Sequence, residues 1–323
     1  MIDKFVLGTT ALLAVATVSS TAHAATAADY NLFVLGNMTS QGSDVEGKVA
    51  VRGDANLQGY SVALNAKGGD ALVVGGTFTG GNWGGTVHGN VVAGGKVSTQ
   101  NWSVEGTSTS GATSLPVDFA AESSRLSWLA TELASYATNG KTEQKWGQMF
   151  FTGTDSKLNV FTVTTDQLAS SNTFHFDVTS GSQVLLNVAG SNASMKYAGF
   201  DLKGVDNSKI LYNFYQASTL SFDGIGVQGS VLAAGAAYKG GYGNVDGQMI
   251  VGSYDGPTQI NSHMYGGTLL ALDKPKPVEP SNPGTPGGIG AVPEPATWAM
   301  MIAGFGLVGG AIRRARRQGL AIA

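Results

Sequence analysis

The sequence predicts a mainly β protein: a β-solenoid with one long helix packed alongside. Three observations point there. Glycine makes up 47 of 323 residues without the three-residue period of collagen, and Val, Thr, Ala and Leu alternate between the glycines, as in short strands joined by tight turns. The pattern Val-x-Gly-x-apolar-x-Val/Ala recurs from Val45, Val87, Val227 and Val245, with a fainter copy from Val104. One stretch alone carries a strong apolar stripe at helical spacing, residues 118–139.

Alternate residues of a strand face the same side. In the first copy Val45, Gly47, Val49, Val51, Gly53 and Ala55 form a small apolar face suited to a narrow interior. Copies 17 or 18 residues apart, Val87 to Val104 and Val227 to Val245, match one coil of a stacked solenoid. The stretch "GGDALVVGGTF" near Asp70 fits as an intermediate rung between Val45 and Val87. On the outward side, Ala50, Val92, Leu232 and Ile250 occupy equivalent positions, and three of them are large and apolar. A cover is therefore expected. The helix supplies it: Asp118 is placed to cap its start, Gly140 to end it after Asn139, and Phe119, Leu126, Leu129, Leu133 and Tyr136 share one stripe. Strands between 141 and 216 have no clear phase. The competing architecture is a β-sandwich with a helix insertion.

The chain ends read separately. Residues 1–24 have the charged start, apolar stretch and small-residue site of a secretory signal peptide, with Ala22 and Ala24 flanking the expected cleavage point. Residues 25–273 form the expected domain. Residues 274–291, with five prolines and four glycines, form a semi-extended linker of about 50 Å. Then follow Val292-Pro293-Glu294-Pro295, an apolar segment at 296–312, and a stop of Arg313, Arg314, Arg316 and Arg317, leaving a short tail at 318–323. Seventeen apolar residues reach the short limit of a membrane span, and the arginines favour the cytoplasmic side.

Composition excludes several functions. Residues 25–292 hold 14 basic and 20 acidic residues, a net charge of −6 that argues against nucleic-acid binding. With no cysteine there is neither a thiol nucleophile nor a thiolate metal site. His88, His175 and His263 lie on separate strands or turns, and no nucleophile-elbow stretch is present, so no enzyme activity, cofactor or metal is expected. "GGYGNVDG" (240–247) reads as a solenoid turn rather than a calcium-binding nonapeptide, whose aspartate would come one position earlier. Arg52-Gly53-Asp54 sits inside a rung, not at a loop tip.

Two stretches carry a family resemblance. "ADYNLFVLGNMTSQGSDVEGKVAVRGDA" (28–55) resembles the opening of the choice-of-anchor A domain of exported bacterial proteins, with Arg52 where Gly is common. "GVQGSVLAAGAAYKGGYGNVDGQMIVGS" (226–253) is similar to ice-binding-like right-handed β-solenoids, which carry a helix beside the coils. The tail resembles the PEP-CTERM sorting signal, with Val292, Pro293, Glu294 and Pro295 as its signature.

These resemblances imply Sec export, exosortase processing, transient inner-membrane anchoring through the C-terminal segment, and delivery to the cell surface or an exopolysaccharide-rich biofilm matrix. The expected function is structural or adhesive and non-enzymatic. The alternative is a carbohydrate- or ice-binding module: a flat face with regular threonines favours ice, and a groove lined by Trp83, Trp102 and Tyr242 favours sugar. A deep pocket joining a histidine with carboxylates would favour an enzyme.

Overall fold

A computed structural model describes residues 25–275. The expected signal peptide with Ala22 and Ala24, most of the linker, the Val292–Pro295 motif, the apolar segment and the arginine stop lie outside the described residues. Among the described residues no helix is long and apolar enough to cross a membrane.

The described chain winds into a parallel β-solenoid whose coils pass over three faces. Val227, Val245, Ile260, Val45, Val62, Val87 and Val104 occupy matching positions in successive coils of the third face. All but Val104, in the last coil, are fully buried, so an inward valine ladder forms as the repeat predicted. The order of the ladder differs from the order of the chain. Residues after 218 build coils that stack directly on the first strand: Leu32–Val34 pairs with Met249–Asp255 on one side and Val49–Val51 on the other. The beginning of the domain therefore sits in the middle of the stack.

The stretch near Asp70 takes the intermediate place expected of it between the copies that begin at Val45 and Val87. Strand Asp70–Val74 lies on the first face, between Val49–Val51 and Asn90–Ala93. On the third face the rung between Val45 and Val87 is Val62. Val62 lacks the repeat signature because Leu64 stands where the other copies have glycine. Equivalent positions in neighbouring coils lie 15 to 27 residues apart, since loops at the corners vary in length.

Asparagine and aspartate hold the corners. Asn37 Oδ1 accepts from the Asp54 amide at 3.0 Å, and Asp54 Oδ1 accepts from the Thr77 amide at 2.7 Å. Asn90 Oδ1 accepts from the Thr107 amide at 2.9 Å. A short side-chain acceptor thus satisfies the amide that a bend removes from the ladder. Arg52-Gly53-Asp54 is accordingly a corner, with its carboxylate engaged.

The interior is wider than a small-residue ladder requires. Phe222, Tyr238 and Tyr254 from successive coils stack inside, with centroids 5.5 and 5.1 Å apart. Such rings bury large apolar areas. Beyond the helix, a four-stranded sheet of Lys141–Lys145, Gln148–Gly153, Thr173–Val178 and Gly199–Lys203 extends the third face. A short helix, Thr165–Ala169, packs on strand Asn192–Lys196 of the second face.

The long helix, Phe119–Ala134, lies on the first face. Asp118 caps it, accepting from the Ala120 and Ala121 amides at 3.0 Å each. Leu126, Leu129 and Leu133 are fully buried together with Ala50, Leu232 and Ile250, so the cover expected over these outward positions is present. Val92, nearer the far end of the stack, stays half-buried.

The helix ends at Ala134, not at Asn139. Residues beyond it turn into the sheet: the Asn139 and Gly140 amides both donate to the Val160 carbonyl. Gly140 is needed for packing, because a Cβ there would come within 2.1 Å of the Phe161 ring. Buried asparagines serve the last helical turns instead, with Asn213 donating to the Ala130 carbonyl at 2.9 Å and Asn187 to that of Leu133 at 2.8 Å. Tyr136, expected on the helical stripe, lies past the helix and only partly buried.

Candidate functional site

With the first face covered, the solenoid offers two outward surfaces. On the second face, Lys239, Asp255, Thr39, Asn56, Thr79 and Ser98 stand in register across successive strands, all exposed. This column is polar and flat, but its residue type changes at nearly every step.

The third face differs. Its amide side chains are tied to one another. Asp246 accepts from Asn244 at 2.8 Å, from Gln228, and from Asn261, while Gln259 donates to Asp44 at 3.2 Å. Burial pushes the Asp44 carboxyl up from its usual range, and the neighbouring Glu46 adds to that. A surface whose polar groups already satisfy each other has little hydrogen-bonding capacity left for a ligand.

Where the second and third faces meet, a groove of about 470 Å³ opens. Trp83 stands at one end, 69% exposed, and Tyr242 at the other, 81% exposed. They project from corner loops four coils apart, the corners between belonging to Pro257, Gly42 and Gly59. At the strand spacing of a sheet this spans roughly 19 Å along the solenoid axis. Gly42 and Gly59 have φ of 65° and 56°, a backbone that side chains disfavour, and they leave the floor bare. Trp83 lies over Gly59. Thr39, Gln41, Asn56 and Gln58 line the groove, and their side chains make no hydrogen bond to the described residues.

Trp102, expected in such a groove, does not line it. Its indole lies over Gly80 and Gly85, meets Phe78 edge-on at 5.4 Å, and donates to the Gly81 carbonyl at 3.0 Å. It closes the last coils of the stack. Both tryptophans follow an asparagine, but Trp83 stands among glycines in a corner loop whereas Trp102 opens the strand Trp102–Val104.

The three histidines are not brought together. His88 Nδ1 lies 2.9 Å from Glu105 at a corner, and His263 follows the last strand. His175 stacks on Phe150 at 4.6 Å, with one ring nitrogen 3.1 Å from Asp201 and the other 3.1 Å from Gln148. Among the described residues no three His, Asp or Glu side chains converge as a metal site would require. "GGYGNVDG" forms the corner that carries Tyr242.

A sequence missed a second cluster, the buried pair Glu122–Arg125 on the helix. Arg125 Nε donates to Glu122 at 2.8 Å and its Nη1 to the carbonyls of Leu270 and Leu272, while Glu122 accepts from the Ala27 amide at 2.8 Å. The pair joins both ends of the domain to the helix. The i, i+3 spacing was visible in the sequence; the partners 95 and 145 residues away were not.

These features define a solenoid that presents two outward surfaces and a corner groove. The family model described as "Putative Ice-binding-like adhesive domain" matches residues 23–262, most of the chain, and the chain belongs to that family. A second model, the PEP-CTERM protein-sorting motif, matches residues 291–317, a span containing Val292, Pro293, Glu294, Pro295 and the four arginines. Among curated proteins and among solved structures, nothing matches the chain. The adhesive domain and the sorting motif together make this an exported cell-surface protein of the exosortase-sorted kind.

Proposed function

We propose that this protein is a non-enzymatic adhesive module that holds extracellular polysaccharide at the cell surface. In this reading the Sec machinery exports it, the segment at 296–312 anchors it transiently in the inner membrane, and exosortase transfers it to the surface or the biofilm matrix. The opening resemblance to the choice-of-anchor A domain fits the same role. The observation that carries the reading is the corner groove, where two exposed aromatic rings flank side-chain amides with no partner among the described residues. Aromatic faces and amides are the groups that grip a hydroxylated chain.

The ice-binding alternative is less favoured. It needs a regular threonine array, and the exposed column of the second face alternates Thr39, Asn56, Thr79 and Ser98.

Two measurements test the proposal. The protein is recovered from the surface and medium of an exosortase-bearing host, and its intact mass is determined. A mass ending near Val292 is expected; a mass running to Ala323 would mean a permanent anchor. Co-sedimentation of the exported protein with the exopolysaccharide of that host is expected, and failure to co-sediment would remove the adhesive role.

A further inference from the structure

We infer that the corner groove is a binding site for an uncharged polysaccharide chain that lies along the solenoid axis, with Trp83 and Tyr242 as its two stacking platforms. This rests on the adhesive reading above and gives it a ligand class and a site.

Shape argues for a chain rather than a single sugar. The groove runs over four coils, a rise of about 19 Å. Of the three corners between the two rings, Gly42 and Gly59 leave two bare and Pro257 supplies the third, so the floor stays low.

Charge argues for an uncharged chain. Asp255 is the one charged residue of the lining, and no lysine or arginine lines it. An anionic polymer would meet that carboxylate with no compensating cation. A neutral one can use Gln41, Asn56 and Gln58, each of which offers both a donor and an acceptor to sugar hydroxyls. Among the described residues these three amides have no hydrogen-bond partner, whereas those of the third face are bonded to each other. Unlike the third face, the groove thus has amide groups left to use.

The exposed rings supply the remaining term. A largely exposed indole such as Trp83 gains by covering its face, and aromatic anchors dominate binding where they occur. Trp146 is exposed to 86% on the hairpin between Lys141–Lys145 and Gln148–Gly153, outside the groove, and serves as an internal control.

The test is calorimetric titration of the exported protein with cellohexaose, maltohexaose and chitohexaose, with hexagalacturonate as the anionic comparison and a peptide of residues 274–291 as the proline-rich one. Saturable binding to at least one neutral hexasaccharide is expected. Trp83→Ala and Tyr242→Ala should each weaken it by at least about tenfold, as loss of an anchoring aromatic does. Trp146→Ala should leave it unchanged, and circular dichroism should show all three variants folded. The trisaccharide of the same series, too short to reach both rings, should bind more weakly. The site is overturned if no neutral hexasaccharide binds, if hexagalacturonate or the peptide binds more tightly, or if Trp83→Ala has no effect. Co-sedimentation with exopolysaccharide that survives Trp83→Ala would remove the site and leave the adhesive reading standing. Hexasaccharide binding without co-sedimentation would do the reverse.

Discussion

Asn31 donates from Nδ2 to the carbonyl of Gly247, 216 residues away, at 3.0 Å. The same amide reaches the Asn261 carbonyl at 3.1 Å, and Asn31 Oδ1 accepts from the Gly47 amide at 3.0 Å. Asn31 is fully buried at the seam where the late coils of the chain meet the early ones. One side chain ties together the corners at Gly247, Asn261 and Gly47. Removing it leaves the Gly247 carbonyl and the Gly47 amide without a partner, while the Asn261 carbonyl keeps the His263 amide.

Asn31→Ala should therefore cost about 3 kcal/mol or more, since each buried polar group left unpaired costs about 1–3 kcal/mol. Asn31→Asp should be no better, because a carboxylate would face two carbonyls. Urea unfolding of both variants against the wild type gives the comparison, and a shift within error for Asn31→Ala would show that the seam does not depend on this residue.

Leu129 and Leu133 fix the helix to the first face and are both fully buried. Either one changed to Ala should lower stability by about 2–5 kcal/mol through lost contact and a residual cavity. An unchanged melting temperature would count against the packing of this helix.

Arg125 is buried against Glu122 and two C-terminal carbonyls. Arg125→Ala strands the Glu122 carboxylate and should cost about 3–5 kcal/mol. Replacing both, as Glu122→Gln with Arg125→Met, should cost less than the single change. A double variant less stable than Arg125→Ala would mean that the pair itself is not what joins the domain ends.

Gly140→Ala should destabilise the domain by about 1–3 kcal/mol through the clash with Phe161. Phe161→Leu in the same chain should recover part of the loss. If Gly140 acted only as a helix terminator, Phe161→Leu would give no recovery, and thermal melts of the single and double variants separate the two cases.

Asp44 sets a pH dependence. Burial raises its folded-state pKa above that of the unfolded chain, Glu46 acts in the same direction, and the Gln259 amide opposes it. Stability from this group is present below the unfolded value and is lost as pH rises through the raised folded value. Asp44→Asn keeps an oxygen for Gln259 and removes the charge. The variant should be the more stable at neutral pH, with the difference narrowing toward about pH 4, where the carboxyl of the unfolded chain titrates. A difference independent of pH would mean that Asp44 is solvated in the folded state.

Local pattern carried a good part of this protein. The Val-x-Gly rungs, the Asp118 cap, the apolar stripe at Leu126, Leu129 and Leu133, and the outward Ala50, Leu232 and Ile250 all follow from spacing, because strand and helix periods are properties of neighbouring residues. The sorting tail is likewise a linear signal, readable without a fold. What spacing could not give was order in space. That Leu32 pairs with Met249, that Val62 fills the third-face rung between Val45 and Val87, and that Gly140 answers to Phe161 each depend on residues far apart in sequence. Trp83 and Trp102 each follow an asparagine, and only the turn of the coil decides that one faces solvent while the other closes the stack. The sequence determined the elements and the address; the tertiary structure decided which coils meet and which side chains are left free, since both depend on contacts that exist only once the chain has wound past itself.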